Sequence, residues 1–256
     1  MLLRRAMFTS SWQRAAEGLG RSQALVPSLV ATTTLGTAVL WWRGQHGMPT
    51  EAERFGVFER HAQDMLEGRS KFRPGPTAAW RRELVQKASG DVLEVAVGSG
   101  ENFKHYSRLH VNSVTATDLS PSMLEVAAGG ATDLGFIPLA LACADSEALE
   151  AFKDQSFDSV VDTFGLCSVE HPSRALAEMA RVCRRDGRVL LLEHGMADWF
   201  FLRWLQEFTL EPFARRYGCR HHYLLDLVSE KLDVLEVRRQ YFGLVYLVVC
   251  RPKAAE

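Results

Sequence analysis

From Asp91 onward, short apolar and β-branched runs alternate with segments whose apolar residues recur at helical spacing. The runs Asp91–Val97, Ser113–Asp118, Ile137–Ala142, Phe157–Phe164 and Arg188–Glu193 predict strands, since continuous burial over so few residues suits a pleated backbone. Between them, Glu101–Leu109, Ser122–Ala128, Asp145–Ala151 and Ser173–Cys183 predict helices. Strands separated by helices form right-handed crossovers and hence a parallel sheet. A long helical stretch follows, and then Val234–Gln240 and Leu244–Arg251. Only Tyr241-Phe242-Gly243 separates these two runs, so they predict an antiparallel hairpin. The expected fold class is α/β, with a doubly wound, mostly parallel, seven-stranded sheet ending in a C-terminal antiparallel hairpin.

The chain ahead of this core has a different character. Residues 50–68 put Phe55, Phe58, Ala62, Met65 and Leu66 on one helical face. Arg73-Pro-Gly-Pro76 interrupts the pattern, and Thr77 is a candidate cap for a helix reaching Ser89. From Ser22 to Trp42 there are 21 consecutive residues without formal charge. About 20 apolar residues cross a bilayer as a helix. Thr32, Thr33, Thr34, Thr37 and Pro27 weaken this run, while Trp41, Trp42 and Arg43 suit a headgroup boundary. Within the first 50 residues stand five arginines and one acid, a balance of +4 that leaves −5 for the other 206 residues. An arginine-rich, acid-poor start resembles a mitochondrial targeting segment. The expected organisation is a basic targeting segment (1–21), a single transmembrane or membrane-anchor helix (22–43), a linker with N-terminal helices (44–90) and the α/β domain (91–256). The expected location is mitochondrial, at the inner membrane, with the endoplasmic reticulum membrane as the alternative.

Composition removes several classes. The chain has 256 residues, 47% hydrophobic and 24% charged, with a net charge of −1. That balance is ordinary for a globular protein and excludes a mostly disordered chain. Near-neutral charge gives no case for nucleic acid as a partner. Five widely spaced cysteines without a C-x-x-C read as reduced core thiols, and no metal site is expected from their spacing.

The sharpest local signal is Val92-Leu-Glu-Val-Ala-Val-Gly-Ser-Gly-Glu-Asn-Phe103, a buried strand entering a turn of small residues. Small residues there let the backbone approach a ligand closely. The next strand ends at Asp118, followed by Leu119, where a carboxylate can accept hydrogen bonds from two ribose hydroxyls. After the third strand, Cys143-Ala-Asp145 offers a second acid at the height of an adenine amino group. Ligands of doubly wound sheets bind along this edge. A dinucleotide site needs a third glycine where Phe103 stands, which favours a nucleoside cofactor without a pyrophosphate.

These stretches, with Phe157-Asp-Ser-Val-Val161, Gly165-Leu-Cys-Ser-Val169, Ala175-Leu-Ala-Glu-Met-Ala-Arg-Val182 and Leu192-Glu-His194, resemble the class I S-adenosylmethionine-dependent methyltransferases. The resemblance covers residues 90–195 and is to the superfamily of the ubiquinone/menaquinone-biosynthesis enzymes. Within it the chain looks most like the membrane-anchored thiol methyltransferases and the mitochondrial Oms-type proteins. It implies a Rossmann-like sheet and S-adenosyl-L-methionine as cofactor. Glu94, Ala96, Gly98 and Gly100 would lie along the methionine portion, Asp118 and Leu119 at the ribose, and Asp145 at the adenine. The sequence departs from the family at Ala96, which replaces the usual first glycine, and at Arg184-Arg-Asp-Gly187, which replaces a proline-glycine turn. It also lacks the N-terminal Tyr-Asp pair of the quinone enzymes.

Two Glu-His pairs follow consecutive strands, Glu170-His171 and Glu193-His194. His194 and then His171 are the candidate bases for an acceptor that must lose a proton. The plainer readings are a loop residue for His171 and a carbonyl partner for His194. Residues 196–225 are rich in aromatics, either a cover over an apolar acceptor or a helix packed on the sheet. The expected partners are a small hydrophobic acceptor, thiol or quinone-like, and a membrane held through the N-terminal helix. The alternative is an assembly or RNA-associated factor that retains the fold with little catalysis.

Overall fold

A computed structural model describes residues 47–70 and 77–254. The targeting segment and the span expected at 22–43 lie outside the described residues, as does the Pro-Gly-Pro break. The folded unit begins at Met48. It opens with α1 (Glu51–Leu66), started by a capping box in which Thr50 and Glu53 each satisfy the other's backbone N–H. α2 (Ala78–Val85) is shorter than expected, and the Thr77 side chain does not cap it.

The sheet strands are β1 (Gly90–Val95), β2 (Val111–Asp118), β3 (Leu139–Cys143), β4 (Phe157–Thr163), β5 (Cys183–His194), β6 (Leu232–Gln240) and β7 (Val245–Pro252). Their order is β3-β2-β1-β4-β5-β7-β6. β1 to β5 are parallel, whereas β7 runs antiparallel to both β5 and β6. The expected mostly parallel sheet with an antiparallel C-terminal pair is therefore observed. Its crossing helices include α3 (Pro121–Gly129) and α4 (Pro172–Val182), each with proline in the first turn, where the missing N–H costs nothing. α5 (Phe200–Tyr217) and α6 (Leu224–Lys231) precede the hairpin, and Gly218 ends α5 with a left-handed φ of 73°.

Both sheet faces are covered, which explains the unbroken apolar run Val189-Leu-Leu-Leu192 in β5. Leu190 and Leu192 pack in one core with Trp80, Leu84 and Phe103, while Val189 and Leu191 pack in the other with Leu176, Met179 and Val228.

Two expected helices are corrected. Glu101–Leu109 contains only a short 3-10 turn at Phe103–His105. Asn102 and Tyr106 in this segment donate to the buried Glu94 carboxylate at 2.9 and 2.6 Å, and these tertiary bonds displace helical pairing. Asp145–Ala151 forms turns around an Asp145–Ala148 bridge, with the Leu149 N–H donating to Glu178 rather than to a helical carbonyl. Among the described residues no helix is long and apolar enough to cross a membrane.

Candidate active site

A cavity of about 320 Å³ opens at the carboxyl ends of β1, β2 and β4. That volume is at the lower end of the range for small-molecule sites. β1 leaves the sheet through Ala96, Gly98 and Gly100, all at positive φ (48°, 54° and 77°). At Gly98 a Cβ would point into open space, so this position keeps backbone exposed to the cavity it lines. At Gly100 a Cβ would lie 2.8 Å from Phe103, so this glycine serves packing and is not among the lining residues. Ala96 holds a left-handed conformation that disfavours any side chain.

Asp118 is fixed from two sides. The Gly98 N–H donates to Oδ2 at 2.8 Å and the Ser120 N–H to Oδ1 at 2.9 Å. A carboxylate has about four acceptor sites, so roughly two remain for hydroxyl donors. Burial raises the carboxyl above its ordinary value, and these amides oppose that shift. Asp118, Leu119, Ala96, Gly98 and Asp145 all line the cavity. Asp145 is oriented by the Glu147 N–H at 2.8 Å.

Glu94 lies beneath this surface. It is 1% exposed, bonded to Asn102 and Tyr106, and not among the lining residues. Burial pushes its carboxyl up to about 7 against those hydrogen bonds and the Arg81 charge. Arg81 from α2 reaches the same layer, donating to Asn102 at 2.8 Å and Thr163 at 2.6 Å, and it does line the cavity. Deeper still, Asp162 and Glu193 share the Gly165 N–H at 3.0 and 2.9 Å. They fix a turn in which Phe164 has φ 62° and the Gly165 position leaves no room for a Cβ.

The two candidate bases are placed elsewhere. His194 does end β5, but its ring packs on Phe164 at 4.6 Å, beside Phe213 and His221. Burial lowers its value to about 4. His171 is exposed, at the position that precedes α4. Neither is among the residues lining the cavity, whose wall on the His194 side is Phe164. The histidine that does line it is His61, on α1 with Phe55, Phe58 and Met65. Helical periodicity marked that face for burial, but only the sheet edge beside it makes the face part of a site. No residue of α5 lines the cavity, so it forms no cover there.

An open glycine-lined turn, an acid with spare lone pairs and a second acid at the next strand suit a nucleoside with two ribose hydroxyls. The comparisons agree. A methyltransferase-domain family matches residues 93–191. The mitochondrial methyltransferase OMS1 of Saccharomyces cerevisiae is 30% identical over 68% of this chain, which spans 40% of that protein's length. The ubiquinone/menaquinone biosynthesis C-methyltransferase of Burkholderia mallei is 35% identical over 69% of each chain. The N-methyltransferase NodS of Bradyrhizobium japonicum in complex with S-adenosyl-L-homocysteine shares the fold, with a TM-score of 0.50, 15% identity, and coverage of 69% of this chain and 86% of that one. The chain belongs to the class I S-adenosylmethionine-dependent methyltransferases. Its cofactor is S-adenosylmethionine, which supplies a methyl group on a sulfonium that an in-line nucleophile displaces. The residues around the cavity have to orient the two reactants and exclude water.

Proposed function

We propose that this methyltransferase works at a mitochondrial membrane on a small apolar acceptor, a thiol or a quinone-like ring. The make-up of the cavity wall supports this most directly. Phe55, Phe58 and Met65 of α1 face the same space as Asp118 and Asp145, so apolar surface lies beside the polar cofactor groups. On this reading Asp118 takes the ribose hydroxyls and Asp145 the adenine amino group. Ala96, Gly98 and Leu119 pass along the cofactor, while Glu94 and Gly100 hold the turn from behind. Names of relatives agree in kind, one for quinone biosynthesis and one for the mitochondrion.

The membrane reading rests on residues 22–43 and on α5. The buried residues of α5 are Gln206, Glu211 and Ala214. Its first turns instead expose Phe200 (79%), Phe201 (54%) and Trp204 (56%), next to Trp199 (61%). Exposed aromatic side chains grouped at the start of a helix suit an apolar or interfacial surrounding. Deleting residues 1–43 is expected to move the chain from the membrane to the soluble fraction with cofactor binding unchanged. A truncated chain that loses cofactor binding would make that segment part of the fold.

His61 is the proposed base where the acceptor must lose a proton; His171 and His194 reach the site only through the loop and strand carrying them. The test is transfer of labelled methyl to a panel of small thiols and quinols by the full chain. We expect one of these classes to be methylated. His61→Ala should slow transfer to a thiol by about tenfold or more. The loss should shrink above pH about 8.5, where the thiol ionises unaided. Wild-type rates in this variant would leave alignment as the whole mechanism. No transfer to either class, with the cofactor bound, would favour the non-catalytic assembly factor.

A further inference from the structure

Behind the cavity wall, three segments far apart in sequence bring Cys167, His194 and Cys219 together, with one ligand atom from each within 4.8 Å of the others. We propose that this Cys-His-Cys cluster binds a zinc-class divalent ion, independently of the methyl-transfer reading. Two thiolates and an imidazole are the donor set that zinc selects, with the fourth position left to water. Binding releases the two thiol protons, so the ion and its thiolates are together neutral, which suits a buried place.

Two further observations point to a ligand. The Nδ1 of His194 is buried without a hydrogen-bond partner, and its ring packs among those of Phe164, Phe213 and His221. An unpaired imidazole nitrogen is costly inside a protein, and a metal bond removes that cost. The three segments are also held together by the backbone. The Arg220 N–H donates to the Cys167 carbonyl at 2.6 Å, and the Met196 N–H to the His222 carbonyl at 3.0 Å. The ligands are thus preorganised by backbone bonds that do not use their side chains. The Cys167 and Cys219 thiols hydrogen-bond to one another, and their other contacts are long ones to carbonyls at 3.3 and 3.4 Å. An ion here would tie the segment after α5 to the Phe164 turn, and through Phe164 and Ser168 it would stiffen one wall of the cavity.

The experiment is titration of the full chain, reduced and freed of metal, with cobalt(II) alone and then with zinc(II). We expect one cobalt per chain with an intense thiolate-to-cobalt charge-transfer band, displaced by one equivalent of zinc. The double variant C167S/C219S should lose the band, and Cys143→Ser should keep it. Circular dichroism and binding of S-adenosylhomocysteine report whether each variant is folded. Should the double variant fail to fold, His194→Ala replaces it, with the same loss expected. Absence of the band in the wild type, its persistence in a folded ligand variant, or a Cys167–Cys219 disulfide in the chain as purified would overturn the proposal.

Discussion

Replacing Asp118 by alanine is expected to weaken S-adenosylmethionine binding by about 1.5–3 kcal/mol, roughly 10- to 150-fold. Hydrogen bonds to a charged acceptor are worth more than neutral ones, and this carboxylate has acceptor sites to spare after receiving the Gly98 and Ser120 amides. Alanine also frees those two N–H groups, so the turn carrying Gly98 loses its anchor to the end of β2. Both effects act on affinity, and isothermal titration with the cofactor measures their sum. A thermal melt on the same sample shows whether the fold survives. Unchanged affinity in a folded variant would take Asp118 out of the site.

A second large effect is expected from Glu94→Gln, and its signature is a pH dependence. Burial raises the Glu94 carboxyl from 4.5 to about 7. A carboxyl with a higher value in the folded state holds its proton more tightly there than in the unfolded chain. Its contribution to stability is therefore full below about 4.5 and is lost as pH rises towards about 7. Glutamine has no such titration. It does leave one of the Asn102 and Tyr106 donors facing an amide NH₂, a fixed cost of about 1 kcal/mol. The variant should be less stable than wild type in acid, and the difference should then move in its favour by about 2–3 kcal/mol up to neutral pH. His222, which burial lowers to about 4, titrates in the opposite sense, but it is common to both proteins and cancels. Urea midpoints across this pH range measure the difference, and a gap that does not vary with pH would show that the fold leaves the Glu94 carboxyl at its ordinary value.

Much of the frame was legible along the chain. All seven strands occur where the sequence predicted them, and the central ones read as unbroken apolar runs because they are buried on both faces, unlike the edge strands β3 and β6. That Asp118, Gly98 and Asp145 line one cavity was legible for a related reason. Asp118 ends β2 while Gly98 and Asp145 lie in the turns just beyond β1 and β3, and in a doubly wound sheet all parallel strands end on the same side, so position along the chain implies position in space.

Helix length was less legible. Glu101–Leu109 had the spacing of a helix, yet Asn102 and Tyr106 are drawn to a buried carboxylate whose place depends on the whole sheet. The same holds for His194. Its strand followed from sequence, but its register beside β7 and the side of Phe164 on which its ring lies are matters of packing. His61 and Arg81 entered the cavity wall from helices that carry no family motif, because α1 and α2 reach the sheet edge only in the folded chain.

What the sequence determined by itself is the sheet, its winding and the cofactor edge, all set by local hydrophobic spacing and by turns of small residues. What the tertiary structure alone decided is which side chains meet across large separations. Cys167 and Cys219 read along the chain as two unrelated core thiols, without the short spacing that marks a metal motif. They meet at His194 because the segment after α5 pairs its backbone with the loop after β4 and with the end of β5. Pairing of that kind depends on loop closure and on packing summed over the domain, which no local window of sequence records.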